Sequence, residues 1–232
     1  MKKTIIICLI FCTIVASLFS AENAQPVMQP RKHVGAIIID PGHGGRDPGA
    51  VGRHLINGTE IVVMEKEITL AITRLLRTKL TERFPDIRVI LTREDDVLIR
   101  LDERVNQANA VSLSAGETAI FVSIHANASL ANLRTRGYTF YIDSGTDKND
   151  DSYRMAEKIS LAFTNMFGDE LPNRGILRES FYTHTHTQMP AVHAEIGFVS
   201  NLEDTLLLYT EQGFDRIANA LTSGIAEYIE SL

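Results

Sequence analysis

Short apolar runs rich in β-branched residues alternate with amphipathic segments from about residue 34 onward. Runs of this kind, a few residues long and without polar alternation, are typical of strands that are buried on both faces. Five such strands are predicted, namely Gly35–Asp40, Arg88–Thr92, Thr118–Ile124, Gly137–Ile142 and Ala191–Ile196. Their alternation with helical segments favours a mainly parallel sheet.

Apolar residues recur at helical spacing in four segments. The first predicted helix covers about Glu65–Phe84, and the last runs from Phe214 to Ile229. The two helices between them are marked by Leu98, Leu101, Val105 and Ala108 and by Tyr153, Ala156, Ile159, Phe163 and Phe167. We therefore expect one α/β domain over residues 34–232, with a twisted, mainly parallel sheet of about six strands and helices on both faces.

The amino-terminal residues have the features of an export signal. Lys2 and Lys3 supply positive charge, and the following run from Thr4 to Phe19 contains no charged residue. This run is shorter than the roughly 20 apolar residues of a comfortable membrane span. We expect residues 1–20 to be a signal peptide and 21–33 a linker. We therefore expect the chain to be exported to the periplasm or the cell exterior, with no transmembrane segment after cleavage. The alternatives are an uncleaved anchor and lipidation at Cys12.

Composition narrows the class of function. The 232 residues are 44% hydrophobic, and 23 Lys and Arg stand against 29 Asp and Glu, which gives a net charge of −6. This balance argues against nucleic acid as a partner, because a nucleic-acid binder is expected to carry a basic surface. Both cysteines, Cys8 and Cys12, lie in the predicted signal, so the exported chain needs no disulfide.

Side chains able to bind a metal follow the predicted strands. His43 comes after the first strand, His125 ends the third, and Glu195 lies at the end of the fifth, while Glu65 begins the first helix. In open α/β sheets ligands bind outside the carboxyl ends of the strands, so these four residues are expected at one edge of the sheet. Asp40, at the end of the first strand, is expected to orient His43.

Each of these residues also has a simpler interpretation. The glycines around His43 would suit a phosphate-binding turn, although the dinucleotide-binding glycine spacing is absent. His125 could be a hydrogen-bonded structural residue, and Glu65 an acid favoured by the helix dipole. Two histidines and one carboxylate with an open fourth position would form a catalytic zinc site. A second carboxylate such as Glu195, which is costly to bury without a role, could then move the proton in metal-assisted amide hydrolysis.

Seven sequence blocks together resemble the zinc-dependent N-acetylmuramoyl-L-alanine amidases of the amidase-3 type, over about Ala36 to Leu232. In order, they are Ile39-Asp40-Pro41-Gly42-His43-Gly44-Gly45, Glu65-Lys66, Leu91-Thr92-Arg93, Ser123-Ile124-His125-Ala126-Asn127, Asn173-Arg174-Gly175, Met189-Pro190-Ala191 and Glu195-Ile196-Gly197-Phe198-Val199-Ser200-Asn201. One block alone is weak, whereas all seven in this order are specific.

The resemblance implies a site and a reaction. It implies His43, Glu65 and His125 as the ligands of one zinc ion per chain and Glu195 as the catalytic carboxylate. The implied reaction is hydrolysis of the amide between N-acetylmuramic acid and L-alanine in peptidoglycan, during cell-wall remodelling or cell separation. Peptidoglycan or its muropeptides would be the substrate, with a protein activator or localisation factor as a further candidate partner. An inactive wall-binding or regulatory protein and a zinc peptidase that cuts the stem peptide are the alternatives.

Several other polar residues have open roles. His193 would share the face of Glu195, either as its polar neighbour or as a packed residue, and Thr185 stands where many family members carry an arginine. His184 and His186 would lie on one face of an extended segment, as a metal pair or beside the substrate groove. The last two residues of interest, Arg93 and Arg104, are expected to pair with acids such as Asp102 and Glu103.

Overall fold

The computed structural model describes residues 33–148 and 150–232. The expected signal peptide and the linker up to residue 32 lie outside the described residues and stay predictions. His33, which was assigned to the linker, is already part of the first strand. Within the described ranges, no helix combines the length and apolar character that a membrane crossing requires.

Eight strands and six α-helices, with a 3-10 helix at Gly168–Glu170, follow one another in the described part of the chain. The strands are β1 (His33–Pro41), β2 (Val51–Ile56), β3 (Thr59–Met64), β4 (Arg88–Leu91), β5 (Glu117–Asn127), β6 (Tyr138–Ile142), β7 (Asn173–Arg178) and β8 (Ala191–Phe198). The helices are α1 (Glu65–Arg83), α2 (Leu101–Asn109), α3 (Asp151–Phe167), α4 (Tyr182–His186), α5 (Leu202–Leu208) and α6 (Glu211–Glu230).

Six of the strands form one sheet in the order β4-β1-β5-β8-β6-β7. All neighbouring strands are parallel except β6 and β8, which are antiparallel. The predicted fold class, a single α/β domain with a mainly parallel sheet of six strands, is therefore confirmed. The remaining strands, β2 and β3, form a separate antiparallel hairpin.

Strand β1 shows why its apolar run lacks alternation. Ile37 and Ile39 pack into the larger core cluster beneath α1, α3 and α6, whereas Ala36 and Ile38 pack into a smaller cluster on the opposite side. Helices α2 and α4 contact each other on that second side. Since successive residues of a strand face opposite sides, a strand covered on both faces must be apolar throughout.

The structure differs from the predicted elements at several places. The second helix begins at Leu101 and not at Leu98, and the side chains of these residues are 55% and 40% exposed. The apolar spacing of Leu98 and Leu101, from which the start of this helix was predicted, therefore does not correspond to a buried helix face. The hairpin β2–β3, strand β7 and helices α4 and α5 were not predicted. Asn57 and Gly58 connect β2 to β3 with positive φ angles of 50° and 81°, and an Asn-Gly pair is the usual sequence signal for such a turn.

Helices α3 and α6 cross at Gly224, which provides a first test of the packing. A Cβ atom at Gly224 would lie 2.8 Å from the backbone nitrogen of Ile159 and would also collide with its Cα. Gly224→Ala is expected to lower the free energy of unfolding by about 1–3 kcal/mol, because the backbone of α3 must move. The matched control is Ser223→Ala at the exposed neighbouring position, where a change within about 0.5 kcal/mol is expected. Urea denaturation followed by circular dichroism measures both. Equal stability of the two variants would contradict the close crossing.

Candidate metal centre and active site

The turn after β1 brings His43 to the edge of the sheet. His43 itself has a positive φ of 59°, an uncommon backbone conformation for a residue with a side chain. A Cβ at Gly42 would lie 2.6 Å from Nδ1 of His125, and a Cβ at Gly49 would lie 2.5 Å from Oε2 of Glu65. Glycine is therefore needed at both positions so that the backbone can approach these side chains.

Glu65, His43 and His125 come together at this edge. Glu65 is the first residue of α1, and its Oε2 lies 3.1 Å from Nε2 of His43 while its Oε1 lies 2.9 Å from Nδ1 of His125. The two imidazole rings stand almost perpendicular, with their centroids 5.0 Å apart. Three residues that are distant in the sequence thus direct two nitrogens and a carboxylate to one point.

Backbone groups fix the Glu65 carboxylate. The amide of Ala50 donates to Oε2 over 2.7 Å, and the amide of Ala126 donates to Oε1 over 3.0 Å. Burial by itself would raise the pKa of Glu65, but the hydrogen bonds with His125 and His43 and their charges hold that pKa well below its usual range. The side chain is therefore an ionised carboxylate although only 5% of it is exposed.

The residue that orients His43 is Asp47, so the prediction for Asp40 was wrong. Oδ2 of Asp47 accepts a hydrogen bond from Nδ1 of His43 over 2.8 Å. Burial opposes protonation of His43, but its contacts with Glu65 and then Asp47 raise its pKa to about 9. Asp40 instead accepts hydrogen bonds from Thr92 (2.6 Å) and Ser123 (2.8 Å). No periodic pattern pointed to Asp47, because its position depends on the fold of the glycine-rich turn.

Arg104 and Arg93 have buried partners and not the expected Asp102 and Glu103. Arg104 forms an ion pair of 2.6 Å with Asp40 and donates to the carbonyl of His43, also over 2.6 Å. Arg93 donates to the carbonyls of the residues that lead into the turn, Pro41 and Gly42. Burial, together with the charge of Arg104, lowers the pKa of Arg93 to about 10. The two guanidinium groups therefore support the backbone that presents His43.

Glu195 lies beside His125 on the neighbouring strand, where the two residues are in register between β5 and β8. Its Oε1 accepts a hydrogen bond of 3.2 Å from Nε2 of His193, and its buried Oε2 has no hydrogen-bond partner among the residues that the structure describes. The ring of His193 stacks on His125 with a centroid separation of 4.3 Å. Burial lowers the pKa of His193 to about 4, so this histidine is a neutral neighbour of Glu195.

The donor set matches the chemistry of zinc. In the described part of the chain, two groups of three residues place metal-binding atoms within 4.8 Å of one another. One consists of His43, Glu65 and His125, and the other of His125, His193 and Glu195. The first offers two imidazole nitrogens and a carboxylate oxygen, as catalytic zinc sites do, and one imidazole carries the carboxylate partner that such ligands commonly have.

His184 and His186 do not form an extended metal pair. They belong to the short helix α4, where Nε2 of His184 contacts the carbonyl of Glu179 (2.7 Å) and His186 stacks on Tyr182. The hydroxyl of Thr185 donates to Asp143 over 2.8 Å. The interpretation of this stretch as an extended segment was wrong, because the alternation that suggested a strand is also accommodated by a single helical turn.

A cleft of about 500 Å³ opens over three of the four candidate site residues, His43, His125 and Glu195. His43, His125, His193 and Glu195 form its floor. Its walls come from the start of α2 and the segment that leads into α4, with the residues Leu98, Ile99, Arg100, Leu101, Phe181, Tyr182 and Thr183. A substrate that enters this cleft would contact Glu195 and the histidines together.

Comparison with known proteins identifies the family. A family model described as N-acetylmuramoyl-L-alanine amidase matches residues 37–227. The chain is 34% identical to protein YqiI of Bacillus subtilis over 210 residues, which are 90% of each chain. It is 32% identical to the N-acetylmuramoyl-L-alanine amidase LytC of Bacillus subtilis over 192 residues, which cover 83% of this chain but 35% of LytC.

A solved structure agrees with these sequence matches. N-acetylmuramoyl-L-alanine amidase AmiC2 of Nostoc punctiforme superposes with a TM-score of 0.71 at 30% identity, over 84% of this chain and 97% of that chain. The chain belongs to the N-acetylmuramoyl-L-alanine amidase family and is an amidase by class.

The buried Asp40–Arg104 pair gives the second test. Arg104→Met would leave the buried carboxylate of Asp40 without its cation, so the free energy of unfolding is expected to fall by about 3–5 kcal/mol. Arg100→Met is the control, because Arg100 is 72% exposed and pairs with Asp102 at the surface. Urea denaturation compares the two variants. If Arg104→Met were no less stable than Arg100→Met, the pair would not support the turn as described.

Proposed function

We propose that the chain hydrolyses the amide between N-acetylmuramic acid and L-alanine in peptidoglycan, with zinc held by His43, Glu65 and His125 and with Glu195 as general base and acid. Family membership supports the reaction. The observation that supports the site most directly is the unpartnered Oε2 of Glu195, buried beside His125 at the floor of the cleft. A buried carboxylate oxygen without a hydrogen bond is costly unless it has a chemical role.

His43, Glu65 and His125 would hold the metal, and Asp47 would keep Nδ1 of His43 engaged so that Nε2 faces the ion. When bound, zinc supplies Lewis acidity and brings the pKa of water to about 7. The backbone amides of Ala50 and Ala126 keep the Glu65 carboxylate in place.

Glu195 would move the proton. Its Oε2 accepts a proton from the attacking water as the new carbon–oxygen bond forms, and the same oxygen returns that proton to the departing nitrogen as the carbon–nitrogen bond breaks. The N–H of His193 engages Oε1 and so fixes the orientation of the carboxylate. The stack of His193 on His125 keeps this arrangement beside the metal ligands.

The remaining features fit an exported enzyme that acts on the cell wall. A signal peptide at residues 1–20 would deliver the chain to the periplasm or the cell exterior, where peptidoglycan is found. The inactive wall-binding alternative does not account for a complete set of His43, Glu65, His125 and Glu195. The peptidase alternative has the same zinc chemistry and differs in the bond that is cut.

Product analysis tests the reaction. The purified mature protein with zinc is expected to release stem peptides that carry a free amino group on L-alanine from purified peptidoglycan, as detected by mass spectrometry. Shortened stem peptides on intact muramic acid would support the peptidase instead, and the absence of any product would count against both reactions.

Glu195→Gln tests the role of Glu195. Turnover is expected to fall by about 10²–10⁴-fold while the zinc content stays unchanged, because an amide cannot take up the proton. Glu179→Gln is the control, since Glu179 is an exposed acid near the cleft whose backbone carbonyl, and not its side chain, contacts His184. Full turnover by Glu195→Gln would show that another group moves the proton.

Asp47→Ala tests the orientation of His43. Loss of the carboxylate partner is expected to weaken zinc affinity by roughly 10- to 100-fold, measured by competition with a chelator. Asp95→Ala serves as the control, because Asp95 is exposed and pairs only at the surface with Arg74. Unchanged affinity in Asp47→Ala would mean that Asp47 does not support a metal ligand.

A further inference from the structure

The cleft face of the sheet is exposed near its edge, on the side of β6 that lies away from Glu195. Strand β6 lies next to β8, with Thr139 in register with Glu195, and β7 follows as the edge strand. Helix α3 packs on the core side of β6 and β7. On the cleft side, Tyr141 is half-buried, and its register partner Leu177 on β7 is 46% exposed. The exposed part of this face therefore runs from Tyr141 to the edge of the sheet, and Thr139 lies buried between it and Glu195.

Arg174 lies on this open face. The neighbouring Asn173 directs its amide to Ser160 and Thr164 of α3, whereas Arg174 is exposed and directs its guanidinium to Phe198, which is in register with Asn127, two residues beyond His125 on β5. The guanidinium carbon of Arg174 lies 5.3 Å from the centre of the Phe198 ring at the end of β8. This contact holds the cation against the same strand that carries Glu195.

The positive charge of Arg174 is not neutralised by an acid within residues 33–148 and 150–232. Its contacts there are the ring of Phe198 and a 3.4 Å hydrogen bond to the carbonyl of Arg136. Arg174 borders a second cleft of about 600 Å³, which is lined by Asn132, Arg134, Thr135, Arg136, Pro172, Asn173 and Arg174 and by no acidic residue. Arg136 pairs with Glu203, whereas Arg134 shows no ion pair in the described chain.

The charges of Glu195 and Arg174 both act on Tyr141. Burial and then the negative charge of Glu195 raise the pKa of Tyr141, and Arg174 acts in the opposite direction. Strands β8 and β7 are two strand spacings apart, about 9.6 Å. An extended peptide advances at most about 3.3–3.6 Å per residue, so two to three residues would span this distance.

We propose that Arg174 binds a free carboxylate on the second residue of the stem peptide, which lies across the open face of β6 and β7. The inference rests on the proposed function, because the scissile amide must lie at Glu195 for the second residue to reach Arg174. A guanidinium can engage a carboxylate through two parallel hydrogen bonds, and an amide in its place offers neither the charge nor two acceptors. Arg174 is therefore a specificity-determining residue that distinguishes an acidic stem peptide from an amidated one.

Binding of two synthetic peptides tests this proposal. The first probe is a stem tripeptide with a free carboxylate on its second residue, and the second is the same peptide with that carboxylate amidated. Calorimetry with the zinc-loaded mature protein is expected to show roughly tenfold or tighter binding of the acidic peptide. Arg174→Gln is expected to remove this preference. Arg178→Gln is expected to retain it, because Arg178 lies on the same edge strand, contacts the carbonyl of Thr146 and has no acidic partner in the described ranges.

The outcomes separate this proposal from the proposed function. Equal binding of the two peptides by the wild-type protein, or an unchanged preference in Arg174→Gln, would overturn the role of Arg174. Because Arg174 is exposed at the sheet edge, the variant is expected to fold, and its melting temperature checks this. Binding does not require turnover. If the protein prefers the acidic peptide through Arg174 but releases no stem peptides, the carboxylate site is supported and the proposed reaction is contradicted.

Discussion

The rest of the site depends on the contacts of the buried Glu65 carboxylate. Glu65 begins α1, accepts amide hydrogen bonds from Ala50 and Ala126, and faces the imidazoles of His43 and His125. These contacts connect the glycine-rich turn, the first long helix and strand β5. An ionised carboxylate is costly to bury, so these contacts compensate its lost hydration. The same contacts fix the positions of the two histidines.

The support for this centre comes from charges that are themselves buried. Asp40 lies beneath the turn and pairs with Arg104, whose side chain also contacts the carbonyl of His43. The turn therefore has a carboxylate on each side, Asp47 on the imidazole and Asp40 below the backbone. Loss of either carboxylate would release the loop that presents His43. Loss of the Asp40–Arg104 pair would in addition destabilise the fold, so this pair supports fold and site together.

Much of the site followed from the sequence because parallel strands end at a common edge. His43, His125 and Glu195 each come at the end of a predicted strand, and the structure places all three beside the cleft. Asp47 could not be found this way, since it acts within a loop whose path depends on positive φ angles at His43 and its neighbouring glycines. The apolar positions of the sheet were similarly predictable. Leu98 misled the helix prediction because an apolar side chain can also line an open cleft.

X-ray absorption at the zinc edge measures directly which side chains bind zinc. The zinc-loaded mature protein should show two imidazole nitrogens and carboxylate or water oxygens at about 2.0–2.2 Å. One imidazole should be lost in His43→Ala, and His193→Ala should leave the spectrum unchanged. A spectrum that loses an imidazole in His193→Ala and is unaffected in His43→Ala would place the ion on the other group of three residues and contradict the account.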